Sequence, residues 1–202
     1  CTYGITRTAS PLTEGQDGAV HTLISWPEEN YVNIYVIKEM AVRGPGQVQP
    51  AAYANYPGSG DPFDKIVCLH NYFGFGEGTA PSSNYVRHTM PHEFGHFFNL
   101  AHPWGGGMCG EIENCGGDDD VEDTPNTIGI CGGGCGDNVL YQESCGSLDN
   151  TQNIMDYGNC AHMFTEGQKA RVHAALNSIS GDRENLWQPE NLILTGVDNN
   201  HF

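Results

Sequence analysis

The eleven residues from His92 to His102 constrain the fold of this chain more than any other stretch. They read HEFGHFFNLAH, with two histidines four residues apart, a glutamate directly after the first, and a third histidine six residues after the second. Residues four apart share one face of an α-helix, so the imidazoles of His92 and His96 can point at a single ion. Glu93 is close enough to reach a water molecule on that ion without being a ligand. The stretch therefore predicts a helix that presents a metal site.

The third histidine can join the other two only if the helix stops after His96. On a continued helix, His102 would lie about 9 Å beyond His96 along the axis. Asn99 stands where the chain must turn back, and asparagine tolerates the left-handed backbone conformation that such a turn requires. Pro103 prevents the helix from resuming at once. We therefore expect a helix, a break at Asn99 and a third ligand arriving from beyond the break.

Three histidines and one glutamate in this pattern are typical of a zinc site that activates water. Three neutral imidazoles leave zinc an open position, and the ion lowers the pKa of a water bound there towards about 7. We expect Glu93 to take a proton from that water and to deliver it to the leaving amine of a cleaved peptide bond.

Two other interpretations remain open. One is a different zinc hydrolase that acts on small peptides or amides. The other is a calcium-stabilised, secreted binding or adhesion module whose metal site is only structural. Glu93 separates this last interpretation from an enzyme, because a structural site has no use for a carboxylate beside its ligands.

The charge of the chain disfavours several classes of partner. Its 202 residues include 8 basic and 25 acidic side chains, which give a net charge of −17. Nucleic acids and anionic membranes both attract basic surfaces, so neither is an expected partner. No apolar run is long enough for membrane insertion. We expect a single domain, monomeric, that acts on protein or peptide substrates.

The eight cysteines indicate an oxidising compartment. Six of them lie between residues 109 and 160, in a glycine-rich segment with little apolar periodicity. This predicts disulfide bonds and a secreted protein. A second, structural zinc site is the alternative, but the spacings 109 to 115 and 131 to 135 are not CxxC pairs. No signal peptide is present, so we expect a processed or trimmed chain.

Strands are predicted where β-branched and aromatic residues are concentrated. Tyr31 to Ile37 and Ile66 to Leu69 are the clearest, and Ile5 to Thr8 is a shorter candidate. Glycine and proline mark the stretch 44–62 as a loop. Residues 103–147 are expected to form loops tied by disulfides.

Two helices are predicted. Pro91 is tolerated in a first turn, so the motif helix should begin near Thr89, or be kinked if it begins earlier. The capping-box pattern from Thr165 to Gln168 precedes an apolar repeat at helical spacing, which predicts a helix over about 165–179. The tail from Asp182 should be irregular, with residues 192–194 available for packing.

Several stretches of the chain together resemble a known family. His92 to His102 resembles the motif HExxHxxGxxH of the metzincins, with Asn99 in place of the usual glycine. Asn153 to Tyr157 resembles their methionine turn. Within that clan the chain is most similar to the pappalysins, which include pregnancy-associated plasma protein and secreted bacterial and archaeal relatives. Further similar stretches are Tyr31 to Val36, Asp119 to Pro125 and Met163 to Gln168.

The resemblance implies a fold and a domain organisation. The fold would be an α+β zincin of metzincin type, with a twisted mixed β-sheet and an active-site helix in an upper subdomain of about residues 1–102. An irregular, disulfide-tied lower subdomain of about 103–202 would end in a helix, and the zinc would lie between the two. In the family another strand and helix precede the part that begins at Cys1, so we expect the chain either to begin inside the catalytic domain or to be a trimmed product.

The resemblance also assigns roles to single residues. Met155 would form an apolar floor beneath the three histidines, where otherwise it would be ordinary core. The phenol of Tyr157 would lie near the metal and hydrogen-bond the oxyanion, where otherwise it would be a packed tyrosine. Asn99 should preserve the turn at a small cost in strain.

A calcium site is expected in the acidic segment from Asp118 to Thr124. Its hard oxygen ligands suit calcium better than zinc. By resemblance, the ligands would be Asp119, the carbonyl of Val121, Asp123 and Thr124. The alternative is a solvated acidic loop.

The resemblance finally implies a disulfide pattern. The expected pairs are Cys115 with Cys145, Cys160 with either Cys135 or Cys131, Cys109 with whichever of those two remains, and Cys1 with Cys68.

Overall fold

A computed structural model describes residues 4–44, 49–58 and 64–197. Its main sheet has three strands, β1 (Asn33–Ile37), β2 (Ala52–Ala54) and β3 (Lys65–Leu69), in the order β1-β3-β2. β1 runs parallel to β3 and β2 runs antiparallel to it. All five residues of the central strand are buried. The predicted α+β class with a mixed sheet is therefore confirmed.

One apolar cluster joins this sheet to the residues that precede it. A 3-10 segment at Asp17–Thr22 contributes one member, and the strands and their ends contribute the others: Val20, Ile37, Met40, Val67 and Leu69. Burial of a side chain of this size contributes roughly 1.5–3 kcal/mol. The carboxylate of Asp17 fixes the same region by accepting the N–H of Ala41 at 2.6 Å.

Two strand predictions need correction. β2 lies inside the stretch 44–62 that glycine and proline mark as loop, of which 45–48 and 59–62 fall outside the described residues. Its alanines have low strand propensity, and the strand exists because its backbone pairs with β3. Residues 5–8 are exposed and form no strand, because no described strand lies beside them.

The motif helix α1 spans Asn84–Phe97 and packs against β2 and β3. It begins five residues before the predicted start, because the Ser83 hydroxyl caps it by accepting the N–H of Val86 at 3.3 Å. Pro91 thus lies inside the helix and leaves the carbonyl of Arg87 without its usual partner. Arg87 is exposed, so water can reach that carbonyl.

The lower half is mostly irregular, as predicted. It contains the short helix α2 (Asp137–Leu140) and a two-stranded hairpin of β4 (Glu143–Ser144) and β5 (Ser147–Leu148). Three disulfides cross-link it, joining Cys109 to Cys131, Cys115 to Cys145, and Cys135 to Cys160. These are pairs that the resemblance implies, and they leave none of the six cysteines for a second zinc site.

Each of these disulfides closes a loop of 22 to 30 residues. Closing a loop of that length stabilises the folded chain by about 3 kcal/mol in the chain-entropy account. The cross-links therefore order a segment that has little apolar core. Cys68 is buried in β3, and its expected partner, Cys1, lies outside the described residues.

Two more helices close the chain. α3 spans Glu166–Leu176, and the predicted capping box of Thr165 and Gln168 is present at its start. The tail is not irregular as predicted, because Pro189 and Gly196 delimit a further helix, α4 (Pro189–Thr195). The helical spacing leaves Ile193 and Leu194 exposed, so the packing expected of residues 192–194 is wrong for these two.

Arg183 connects this tail to the end of α1. Its side chain is fully buried, and its Nε donates to the carbonyl of Phe97 at 3.0 Å. A cation at the carboxyl end of a helix is favourable, because the last carbonyls carry partial negative charge. Asp64 pairs with the same guanidinium. No helix of the described chain is long and apolar enough to cross a membrane.

Candidate metal centre

Three histidine side chains meet at one point. His92 and His96 lie on the same face of α1, and their Nε2 atoms are 3.2 and 3.0 Å from Nε2 of His102. The three ligand atoms all lie within 4.8 Å of one another. In the part of the chain that the structure describes, no other group of three or more histidine, cysteine or acidic side chains is arranged to hold an ion.

The turn that delivers His102 is built around Asn99. Its φ of 73° is the left-handed conformation that ends many helices. The N–H of Leu100 donates to the carbonyl of Gly95 at 2.8 Å, and the N–H of Asn99 donates to that of His96 at 2.9 Å. This pair of bonds is a Schellman motif, which satisfies carbonyls at the helix end and reverses the chain. His102 returns towards α1 for this reason.

Backbone carbonyls orient two of the rings. Nδ1 of His92 donates to the carbonyl of Ile154 at 2.8 Å, and Nδ1 of His96 donates to that of Leu100 at 2.7 Å. Each bond places the proton on Nδ1 and turns the lone pair of Nε2 towards the centre of the cluster. The rings are thereby prepared to act as metal ligands.

The cluster is held in its neutral form. Burial lowers the pKa of His92 to about 3 and that of His102 to about 2, and the neighbouring imidazoles add to the effect. Burial lowers the pKa of His96 as well. Neutral imidazoles are the form that binds a metal ion, so no proton has to leave these rings at neutral pH.

An aromatic ring supports His102 from behind. The side chain of Trp104 is buried and stacks on the imidazole, with ring centroids 4.5 Å apart and planes 9° from parallel. The stack restricts the ring of His102, which has no carbonyl partner among the described residues.

Met155 is fully buried and packs against α1 at Gly95. A β-carbon at Gly95 would collide with the Met155 sulfur, so the glycine between the two ligands of α1 is what admits this side chain. The Met155 N–H donates to Oδ1 of Asn153 at 2.9 Å. The side-chain amides of Asn153 and Gln168 are paired at 3.0 and 3.2 Å, which ties the turn to the start of α3.

Glu93 is buried beside the ligands, and its Oε2 has no hydrogen-bond partner among the described residues. Burial raises the pKa of its carboxyl group to about 8. A cation nearby would lower that pKa again, because it favours the charged form. The geometry thus provides a buried carboxyl group with one oxygen free to exchange a proton.

The Tyr157 hydroxyl lies 3.0 Å from Nε2 of His102. Burial, and next the charge of Glu93, raise the pKa of this phenol, so it stays protonated and able to donate. Asp156 holds the adjacent backbone, since its Oδ1 accepts the N–H groups of Ile130 and Tyr157 at 2.8 and 2.6 Å.

In the acidic segment, two residues each have a buried oxygen with no hydrogen-bond partner of normal geometry among the described residues. These are Oδ2 of Asp119 and Oγ1 of Thr124. Burial raises the pKa of Asp119 to about 6. The carbonyl of Val121 accepts the N–H of Thr124 at 3.0 Å. Asp123 contacts the start of α3, where its Oδ2 accepts the N–H of Gly167 at 2.9 Å.

Sequence reasoning did not identify several residues of the centre. Tyr56 follows β2, and its hydroxyl lies 2.9 Å from Nδ1 of His96. Trp104 and Gly95 were also missed. A small residue inside the HExxH stretch was the one available signal, since the methionine turn has to pass close to the helix.

Comparison with known proteins gives matches over most of the chain. The sequence model of the family Peptidase_M43, which is described as pregnancy-associated plasma protein-A, matches residues 15–177. An extracellular metalloprotease of Sordaria macrospora is 31% identical over 158 residues, which are 72% of this chain and 48% of that protein. One of Podospora anserina is 36% identical over 103 residues, 48% of this chain and 32% of that protein. The chain thus spans half or less of these relatives.

Two solved structures of mirolysin share the fold. Mature mirolysin of Tannerella forsythia in complex with a cleaved peptide has a TM-score of 0.64 and 26% identity. Mirolysin in complex with a small compound has a TM-score of 0.67 and 28% identity. Each match covers 85% of this chain and 61% of the other.

Proposed function

The chain belongs to the pappalysin family, Peptidase_M43, and from this premise we propose that it is a secreted zinc endopeptidase in which Glu93 is the general base and acid. The single observation that carries the proposal is the convergence of three Nε2 atoms on one point. The zinc ligands would be His92, His96 and His102.

The donor set suits zinc. Three neutral nitrogen ligands with one position left open are the arrangement of catalytic rather than structural zinc sites. Two of the rings are already oriented by carbonyls, so little reorganisation accompanies binding. When bound, zinc would lower the pKa of a water molecule and polarise the scissile carbonyl.

Glu93 supplies the proton transfers. Its free Oε2 would accept a proton from the attacking water and later pass it to the leaving amine. The hydroxyl of Tyr157 would donate a hydrogen bond to the oxygen on which negative charge develops. Met155 would keep the floor of the centre apolar, and Asn99 would hold the turn before His102.

Protein or peptide substrates follow from the same premise. A mirolysin structure contains a cleaved peptide, and mirolysin shares the fold of this chain. Cleavage at internal bonds is the proposed reaction. The excess of acidic residues gives no basis for a nucleic-acid partner.

Calcium is proposed for the acidic segment. Oδ2 of Asp119 and Oγ1 of Thr124 support it, because a buried carboxylate with an unpaired oxygen is costly unless an ion or a proton compensates it. The carbonyl of Val121 would add a third ligand. Asp123, whose Oδ2 accepts the N–H of Gly167, would be a further ligand.

The proposal also covers the domain organisation of the chain and its secretion. Residues 1–102 and 103–202 would be the upper and lower subdomains of one monomeric catalytic domain. Secretion is supported by the names of the fungal relatives, which are extracellular metalloproteases, and by the three disulfides.

The test is hydrolysis of casein, with the products identified by mass spectrometry. The protein should release internal fragments, lose activity with 1,10-phenanthroline, and regain it when zinc is added at a concentration that exceeds the chelator's capacity. Calcium should be kept constant, so that only the zinc site is emptied.

A matched pair of variants checks that the activity is this protein's own, because Glu93→Gln should cleave casein far more slowly than the wild type. Glu77→Gln changes an exposed acid in a loop and should cleave casein like the wild type. Absence of cleavage by a zinc-loaded, folded protein would instead favour the non-catalytic binding module.

A further inference from the structure

One arginine of α3 connects the metal centre to the acidic segment. Nε of Arg171 donates to the carbonyl of Asn99 at 2.7 Å. Nη1 of the same guanidinium donates to the carbonyl of Asp119 at 3.0 Å and lies 3.4 Å from that of Asp120. A single side chain therefore joins two segments that are twenty residues apart in the sequence.

The first of these contacts falls at a sensitive point. Asn99 carries the positive φ that reverses the chain, and its carbonyl lies three residues before His102. A non-glycine residue in this conformation is held there by its surroundings. The bond from Arg171 fixes the peptide that follows the reversal, and thus the path of the chain to the third ligand.

The position of Arg171 on α3 brings its guanidinium to the carbonyls of the acidic segment. One turn earlier, the N–H of Gly167 binds Asp123, and Gln168 pairs with Asn153 of the methionine turn. The first turns of α3 therefore hold the acidic segment and the methionine turn, and Arg171 adds the reversal at Asn99. A planar guanidinium suits this position, because its several N–H groups can serve two acceptors in different directions.

We propose that Arg171 is a positioning residue for the third histidine, which it aligns by fastening the Asn99 reversal to the backbone of the acidic segment. The inference rests on the proposed zinc site, and it assigns Arg171 no contact with zinc or substrate. Removal of Arg171 frees the reversal, so that His102 must be ordered when the metal binds. The expected consequence is weaker zinc binding together with a lower kcat.

The test measures zinc affinity directly, by competition with a chromophoric chelator. Arg171→Met should weaken zinc binding by about tenfold, the lower end of the range for residues that orient metal ligands. Arg171→Lys should lie between this variant and the wild type, because an ammonium group cannot reach both sets of carbonyls in the same way. KM should change little while kcat falls, because the proposal gives Arg171 no contact with the substrate.

Lys169→Met is the matched control. It removes a cation from the same helix, but Lys169 is exposed and binds Glu166 at 3.1 Å. Its zinc affinity should equal that of the wild type. This comparison separates positioning from a general loss of positive charge beside an acidic chain.

The result that overturns the inference is equal zinc affinity in Arg171→Met and wild type. If Arg171→Met does not fold, as judged by near-UV circular dichroism, Arg171→Lys decides the question by the same criterion. Failure of the proposed function looks different, because the wild type would then bind zinc and cleave no casein.

Discussion

The sulfur of Met155 occupies the space that a β-carbon on Gly95 would need. The helix that carries two histidines and the segment that carries Met155 therefore fit together in this way because residue 95 has no side chain. This contact joins parts of the chain that are 60 residues apart. The packing of Met155 therefore requires a glycine at position 95, although glycine is unfavourable inside a helix.

Gly95→Ala should destabilise the protein, although alanine favours a helix by roughly 0.5–1 kcal/mol over glycine. The methyl group overpacks a buried site, which costs typically about 1–3 kcal/mol. Urea unfolding of the zinc-free protein measures the difference. Gly106→Ala is the control, because a β-carbon there meets nothing within 4 Å, and its free energy of unfolding should match that of the wild type. Equal stability of both variants would contradict the packing of Met155.

Position 99 should tolerate glycine better than alanine. Alanine in a left-handed conformation costs roughly 1–2 kcal/mol, whereas glycine adopts it freely. Asn99→Ala should therefore lower both the free energy of unfolding and the affinity for zinc, and Asn99→Gly should retain the zinc affinity of the wild type. Urea titration and chelator competition provide the two measurements. Similar zinc affinities for the alanine and glycine variants would refute the role assigned to the reversal.

Calcium should stabilise the protein more at neutral than at acid pH. The pKa of Asp119 in the calcium-free protein is raised from 3.8 to about 6, so ionisation of this buried group lowers stability as the pH rises between those values. A bound cation favours the ionised form and removes that loss. The increase in Tm on adding calcium should thus grow from pH 4 to pH 7.

Asp119→Asn should abolish most of this calcium effect. Glu122→Gln, which neutralises an exposed acid of the same segment, should keep it. Differential scanning fluorimetry at four pH values is sufficient. A calcium effect that persists in Asp119→Asn would show that the ion binds elsewhere.

Tyr157→Phe should lower kcat and leave KM nearly unchanged. Loss of one hydrogen-bond donor to a developing oxyanion costs about 10²–10³ in kcat. Tyr157 is not one of the proposed zinc ligands, so the same change should alter zinc affinity only slightly. Tyr141→Phe is the control, since Tyr141 is 70% exposed. An unchanged kcat in Tyr157→Phe would show that this tyrosine only packs in the site and does not assist the reaction.

Local geometry explains which parts of the structure were predictable. The spacing of His92 and His96, the reversal at Asn99 and the capping box at Thr165 all depend on residues within one or two helical turns. β1 and β3 were found because their own side chains favour strands. In each case the signal and the structure lie in the same short segment.

Contacts between distant segments were not predictable in this way. β2 is a strand through its pairing with β3, and its alanines carry no signal. Ser83 starts α1 earlier than Pro91 suggested, because the cap outweighs one lost backbone bond. Arg171 lies 72 residues from Asn99, and no spacing rule connects them.

The most direct test of the account compares zinc-loaded wild type with zinc-loaded Glu93→Gln. Both should contain one zinc per chain by elemental analysis, because Glu93 is not a ligand. Cleavage of an internally quenched peptide by the variant should be slower by about 10²–10⁴, the usual contribution of a general acid–base group. Equal cleavage rates at equal zinc content would contradict the assignment of Glu93 and the mechanism built on it.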